Sequence, residues 1–182
     1  PEVIGKTHGR PIESCIGKRP VPTTYVELTQ TGLAIDRQQD LEVHGGPDKA
    51  FYAWNINNYE AWALAPGGTD LLTGMTPNGP YQGGQFGENL LLVGDYPTEQ
   101  NVRIGDIWAW SGCLLEVTKP REPCFKLTAH QSGAASSWMV KSNRCGWYLK
   151  LVSQPGMAQA HGAPIQLLQR GEGSTIAEAF RA

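Results

Sequence analysis

The chain has 182 residues, enough for the hydrophobic core of one domain, and its 22 Gly and 13 Pro favour short strands joined by turns over a helical bundle. A formal charge of −2 without a basic run argues against binding to duplex nucleic acid. Because no apolar stretch reaches the roughly 18 residues of a membrane span and residues 1–10 lack a signal-peptide pattern, we expect a cytoplasmic protein that does not bind membranes.

The first half of the chain predicts short strands and one helix. Segments with β-branched and aromatic residues between turn residues are predicted as strands: Val3–Arg10, Thr23–Leu28, Leu33–Asp40 and Phe51–Trp54. Asn57 or Asn58 is expected to cap a helix that runs through Leu64 and that Pro66 ends. Residues 66–86 are rich in Gly and Pro and predict a long loop, which is a candidate lid.

The second half predicts further strands and two helices. The strands are expected at Asn89–Val93, Val102–Trp110, Cys113–Thr118 and Ile165–Leu168. The dipeptide Ser111-Gly112 predicts a hairpin turn between the second and third of these. Residues 132–142 have a helical composition and Gly146 is the expected terminator, while Thr175 and Glu178 match a capping box.

The segment Lys119–Lys126 contains the cysteine with the strongest chemical potential, Cys124. Pro120 and Pro123 stiffen the backbone around it, and three basic residues outnumber the single acidic one, which favours a thiolate. Two interpretations follow from the residues alone. Cys124 is either a nucleophile or metal ligand, or an inert cysteine packed beside its apolar neighbours.

Two polar loops accompany this segment. The loop His44–Lys49 contains two glycines that expose backbone N–H groups to an anion, although a plain tight turn has the same pattern. The loop Gly84–Asn89 places a carboxylate and an amide just before a strand, and a solvated turn is its simpler interpretation.

Several familiar site classes find no support in the sequence. The four cysteines form no CxxC pair and the four histidines no HxH or HExxH, which argues against zinc sites and a disulfide scaffold. Gly-rich nucleotide-binding loops and the Gly-x-Ser-x-Gly elbow of serine hydrolases are also missing. We do not expect pyridoxal phosphate as a cofactor.

Four segments in order resemble one known family: VHGGPDKA at 43–50, GQFGENL at 84–90, NVRIGD at 101–106 and KPREPCFKL at 119–127. They resemble MOSC domains of the YiiM type, relatives of the C-terminal domain of molybdenum cofactor sulfurase. The resemblance runs from about Gly5 to the C-terminal helix. It implies a mainly β fold, a MOSC-type barrel similar to the pyruvate kinase barrel with a few short flanking helices. Residues 1–182 would form a single MOSC domain with a partly helical C-terminal extension from about residue 129.

The resemblance also implies a function. A pyranopterin molybdenum cofactor would be held with Cys124 as the molybdenum ligand, and the domain would reduce N-hydroxylated compounds, such as hydroxylaminopurines, to amines. Electrons would come from a flavin or iron–sulfur reductase, since neither type of motif is present in this sequence. The alternative is a non-catalytic carrier that uses Cys124 to deliver the cofactor or sulfur. A homodimer is left open.

The resemblance assigns site residues by position in this sequence. The expected catalytic residues are Cys124, His44 and Lys18, with Lys6 as the alternative to Lys18 because it lies in a similar Gly-Lys context. The expected cofactor-binding residues are Gly45, Gly46, Phe86, Glu88, Asn89 and Arg121. The loops of His44, Glu88 and Cys124 are expected to line one cavity.

Overall fold

A computed structural model describes residues 2–37, 45–68, 83–131 and 133–182. Its strands are β1 Glu2–Thr7, β2 Arg10–Ser14, β3 Tyr25–Thr29, β4 Gly32–Leu33, β5 Phe51–Asn55, β6 Leu90–Leu92, β7 Ile107–Trp110, β8 Cys113–Pro120, β9 Trp147–Leu151, β10 Gly156–Gln159 and β11 Ile165–Gln169. Its α-helices are α1 Asn57–Ala63, α2 Phe125–His130, α3 Gly133–Ser142 and α4 Ile176–Arg181. A 3-10 turn spans Pro47–Lys49. The predicted fold class, mainly β with a few short helices, is confirmed.

The largest sheet has six strands in the order β11-β7-β8-β9-β5-β6 and curls into half of a barrel. All its neighbours pair antiparallel except β5 and β6, which are parallel. Three strands in the order β10-β3-β4 form a second sheet, and β1 and β2 form a hairpin. Every residue of β5 is buried, whereas β9 alternates buried and half-buried residues. The sheet therefore places β5 in the core and β9 beside it.

The hairpin predicted around Ser111-Gly112 is confirmed. Trp110 pairs with Cys113, and both turn residues have positive φ, 50° and 86°, as a two-residue hairpin turn requires. Cys113, Leu115 and Val117 of β8 are buried while their neighbours are half-buried, which is the period of two of a strand with one face in the core. This hairpin carries the chain directly to Cys124.

Two predicted strands are shorter than expected. The strand predicted from Val102 begins only at Ile107, because the buried carboxylate of Asp106 accepts hydrogen bonds from the backbone N–H groups of Arg103 and Gly171 and holds a turn. The strand predicted at Leu33–Asp40 is reduced to β4, after which the chain turns, and residues 38–40 lie outside the described range. After β4 the carboxylate of Asp36 accepts from the N–H of Arg37, so in both places an aspartate side chain competes with the strand for backbone donors.

Several elements were not predicted. They are strands β2, β9 and β10 and helix α2. Strand β9 consists of aromatic residues and leucines around one lysine, which favours a strand, and it lies between β8 and β5 in the large sheet. Neither Asn57 nor Asn58 caps helix α1, because both lie within it; the side-chain oxygen of Asn55 accepts from the N–H of Asn57 instead. The capping box of Thr175 and Glu178 is confirmed. In the described ranges, no helix is long and apolar enough to cross a bilayer.

Candidate functional site

Segments far apart in the chain meet at one cleft, beyond the end of β8. The segment after β2, the 3-10 turn, β5, the loop before β6, the Cys124 segment and β9 all contribute. The lining residues are Ser14, Cys15, Ile16, Lys18, Arg37, Lys49, Tyr52, Phe86, Gly87, Asn89, Arg121, Cys124, Lys126 and Tyr148. Each of the three loops expected to line one cavity contributes a described residue, Lys49, Asn89 or Cys124, whereas His44 lies outside the described residues.

Cys124 sits where β8 has ended and α2 begins. It is the N-cap residue of α2 in extended conformation, and its carbonyl accepts from the N–H of Leu127 at 3.0 Å. Its side chain is partly exposed to the cleft. The guanidinium of Arg121 approaches it, with Nη2 at 3.9 Å from Sγ. A cation at this distance favours a thiolate over a thiol.

The cleft is strongly basic. In the described part of the chain, none of its lining side chains is acidic. Five are cationic: Lys18, Arg37, Lys49, Arg121 and Lys126. Burial by itself would lower the pKa of Arg121, but Tyr52, Tyr148 and Cys124 raise it, so the guanidinium stays charged. The arrangement suits an anionic ligand.

The described residues do not by themselves build a metal site. In the ranges given above, no group of three or more His, Cys, Asp or Glu side chains is placed to hold a metal ion. Among these described residues, Cys124 therefore belongs to no such cluster of metal ligands.

A hydrogen-bonded chain joins three walls of the cleft. Lys18 pairs with Asp36, and the other oxygen of that carboxylate accepts from Nδ2 of Asn89 at 3.0 Å. The side-chain oxygen of Asn89 in turn accepts from the backbone N–H of Tyr52 at 2.8 Å. Lys18 is thus anchored and partly neutralised, and Asn89 fixes the geometry of the cleft through β5.

Glu88 lies beneath the cleft wall and is 2% exposed. Its carboxylate accepts from the hydroxyl of Tyr59 and from the N–H groups of Gly84 and Phe86. Burial raises its pKa, and these hydrogen bonds oppose the rise. Glu88 therefore shapes the loop that presents Phe86 and is not itself a lining residue.

Replacing Glu88 by glutamine is expected to destabilise the protein by about 1–3 kcal/mol, because the new amide group faces the N–H of Gly84 or Phe86 and leaves a buried donor unsatisfied. The loss should depend on pH. Because the folded pKa of Glu88 is raised, the folded state keeps the proton at pH values where the unfolded state has lost it. The stability that Glu88 contributes to the wild type therefore falls as pH rises from the ordinary carboxyl pKa through the raised folded pKa. The difference in unfolding free energy between wild type and Glu88→Gln should therefore become smaller as pH rises.

The matched control is Glu178→Gln, where the sign is opposite. Hydrogen bonds from Thr175 lower the pKa of Glu178, so its stabilising contribution is lost as pH falls through the folded pKa. Urea unfolding of both variants and the wild type at several pH values between about 3 and 8 checks both directions. A Glu88→Gln deficit that grows with pH would contradict the assignment.

The predicted site residues divide into three groups. Cys124, Lys18, Phe86, Asn89 and Arg121 line the cleft. Lys6 is exposed on β1, so of the two alternative lysines only Lys18 reaches the cleft. The third group lies elsewhere: Glu88 below the wall, Gly45 and Gly46 just before the lining residue Lys49, and His44 outside the described residues.

The cleft also contains residues that the sequence analysis did not single out. Tyr148 lies on β9, which was not predicted as a strand, and Tyr52 follows the glycine-rich loop in a segment treated only as a strand. Cys15 lines the cleft as well, although nothing in its local sequence indicates that. Lys126, in contrast, lies inside the segment 119–127 and was already counted among the basic neighbours of Cys124.

Comparisons with known proteins match most of this chain. The family model of the MOSC domain matches residues 40–166. YiiM of Escherichia coli (strain K12) is 35% identical over 154 residues, which is 84% of this chain and 63% of that protein. YflK of Bacillus subtilis (strain 168) is 33% identical over 90% of this chain and 67% of its own length. The chain thus spans about two thirds of the length of these relatives.

Two solved structures of YiiM proteins share this fold. The crystal structure of YiiM from Escherichia coli has a TM-score of 0.65 at 31% identity and covers 86% of this chain and 68% of that one. The structure of YiiM from Geobacillus stearothermophilus has a TM-score of 0.68 at 28% identity, with 96% and 75% covered. A protein of Gibberella moniliformis named "Reductase" is 33% identical over 70% of this chain, but over only 21% of its own length. With the domain model matching most of the chain and YiiM aligning with it, this chain belongs to the MOSC domain family.

Proposed function

We propose that this chain binds a pyranopterin molybdenum cofactor through Cys124 and reduces N-hydroxylated compounds, such as hydroxylaminopurines, to amines. The observation that carries the proposal is the thiol of Cys124 in a cleft with five cationic side chains, one of them at 3.9 Å from Sγ. Membership of the MOSC family and the reductase name of one relative support it. The chain would act as one MOSC domain.

The residues present fit such a cofactor. A thiolate is a soft ligand for molybdenum, and the cofactor phosphate needs cations. Cys124 supplies the thiolate. The cations come from Lys49, Lys126 and Arg37, which also line the cleft. The ring of Phe86 adds an apolar wall. Because the described residues offer no cluster of metal ligands, a group that brings its own ligands suits this site.

When bound, the cofactor supplies two-electron redox chemistry at the metal. The overall reaction consumes one N-hydroxylated compound, two electrons and two protons, and it releases the amine and one water molecule. In this reaction Arg121 would keep Cys124 in its anionic form, and the chain Lys18–Asp36–Asn89 would hold the walls in place. The electrons would come from a separate flavin or iron–sulfur reductase. The proposed location is the cytoplasm, since four cysteines without a disulfide suit a reducing compartment.

Metal analysis combined with a turnover assay tests the proposal. The chain is purified from a host that makes the molybdenum cofactor, and its molybdenum content is measured. Reduction of a hydroxylaminopurine is then followed with a chemically reduced viologen as the electron source. Bound molybdenum with turnover supports the reductase. Bound molybdenum that transfers to another apoprotein without turnover overturns it in favour of the carrier, and a preparation without molybdenum overturns both.

A further inference from the structure

Arg121 is held between the cleft and two tyrosine rings. It is a buried cation, 5% exposed, and its guanidinium carbon lies 5.5 Å from the ring centroid of Tyr52. The ring of Tyr148 lies beside that of Tyr52, with 5.4 Å between centroids. A cation over an aromatic face is attracted by the electrons of the ring, most strongly where water is excluded.

Tyr52 is itself immobilised by the large sheet. Its backbone N–H donates to Asn89, and its hydroxyl donates to the carbonyl of Cys145 at 3.0 Å. Tyr148 is its direct partner across the pairing of β5 and β9. The ring that faces Arg121 therefore has no freedom to turn away without breaking a strand contact and a buried hydrogen bond.

The other contacts of Arg121 direct its edge toward Cys124. Nη1 donates to the backbone carbonyl of Glu122 at 2.9 Å, and Nη2 is the atom that faces Sγ of Cys124. A long arginine side chain without such restraints would populate many rotamers. Here the ring and the carbonyl together leave one arrangement, in which an N–H group points at the sulfur.

We propose that Tyr52 is a positioning residue, whose ring holds the guanidinium of Arg121 against Cys124 so that the cleft retains its anionic cofactor. The inference rests on the proposed function for its purpose, while the placement of Arg121 is measurable without any cofactor. Neither the family motifs nor the glycine-rich loop indicated a role for this tyrosine. The contact acts through Arg121, since Tyr52 supplies the ring and not the charge.

Three variants separate positioning from general stability. Tyr52→Leu removes the ring, whereas Tyr52→Phe keeps the ring and loses only the hydroxyl that donates to Cys145. Trp108→Leu is the matched control, because Trp108 is a buried aromatic residue of the same sheet, 2% exposed, and does not line the cleft. All three should fold with lowered unfolding temperatures.

Two measurements decide the inference. In the cofactor-loaded protein, the Tyr52→Leu variant should release molybdenum on repeated gel filtration about tenfold faster than wild type, while Tyr52→Phe and Trp108→Leu release it at the wild-type rate. In the cofactor-free protein, the Nε–H resonance of Arg121 should lose its ring-current shift in Tyr52→Leu and keep it in Tyr52→Phe.

The outcomes are distinguishable from failure of the proposed function. Release from Tyr52→Leu at the rate of Trp108→Leu overturns the inference, as does an Arg121 resonance that does not move when the ring is removed. If wild-type protein contains no molybdenum, the proposed function fails, and the resonance of Arg121 still decides whether Tyr52 positions it.

Discussion

Replacement of Cys124 by serine should abolish molybdenum binding and lower reduction of a hydroxylaminopurine by more than about 100-fold, with the unfolding temperature nearly unchanged. Serine has almost the volume of cysteine, but its hydroxyl stays protonated near neutral pH and is a hard, weak ligand for molybdenum. The side chain is half-buried, packs against the edge of the core and opens to the cleft, so exchanging its sulfur for oxygen should disturb the packing little. Molybdenum content, turnover and thermal unfolding of the purified variant check the three parts of this expectation.

The other three cysteines provide internal controls. Cys113 and Cys145 are buried at 5% and 0% exposure, so their serine variants should lose about 1–3 kcal/mol of unfolding free energy and keep wild-type molybdenum content. Cys15 lines the same cleft and is half-buried, so Cys15→Ser tests whether any thiol there is sufficient. Wild-type turnover in Cys124→Ser would refute the assignment of the ligand.

Replacement of Gly84 by alanine should distort the loop that supports the cleft and cost more than about 3 kcal/mol of unfolding free energy. Gly84 has φ of +94°, and an added Cβ would lie 2.3 Å from the carbonyl oxygen of Lys18. The two segments are also joined by a hydrogen bond from the N–H of Lys18 to the carbonyl of Gly84 at 3.1 Å. The two segments cannot separate without losing this hydrogen bond and shifting Lys18 away from Asp36. The molybdenum content should therefore fall as well.

Gly112→Ala is the matched control for this clash. Gly112 has a similar φ of +86°, but a Cβ there would meet nothing within 4 Å. Its cost should be limited to the left-handed conformation itself, about 1–2 kcal/mol, with no change in molybdenum content. Urea unfolding of both variants measures the difference. Equal losses of stability would mean that the approach of Gly84 to Lys18 does not matter.

Local sequence determined the parts of the fold that depend on neighbouring residues. The Ser111-Gly112 hairpin, the Thr175–Glu178 capping box and the helix of residues 133–142 are confirmed, because turn, cap and helix preferences act over a few residues. The prolines and basic neighbours of Cys124 predicted a stiff, cationic segment, and they left a reactive and an inert cysteine as alternatives. The family resemblance then added the fold class, which the structure confirms.

Only the tertiary structure decided which side chains meet. The residues of β9 favour a strand locally, but only the fold shows that β8 and β5 lie on either side of it. It is this pairing that places Tyr148 beside Tyr52 and both beside Arg121. The sequence likewise suggested Glu88 as a cofactor contact, whereas burial and three hydrogen bonds make it the anchor of a loop. Proximity across strands far apart in the chain follows from packing of the whole core, which no local pattern of residues encodes.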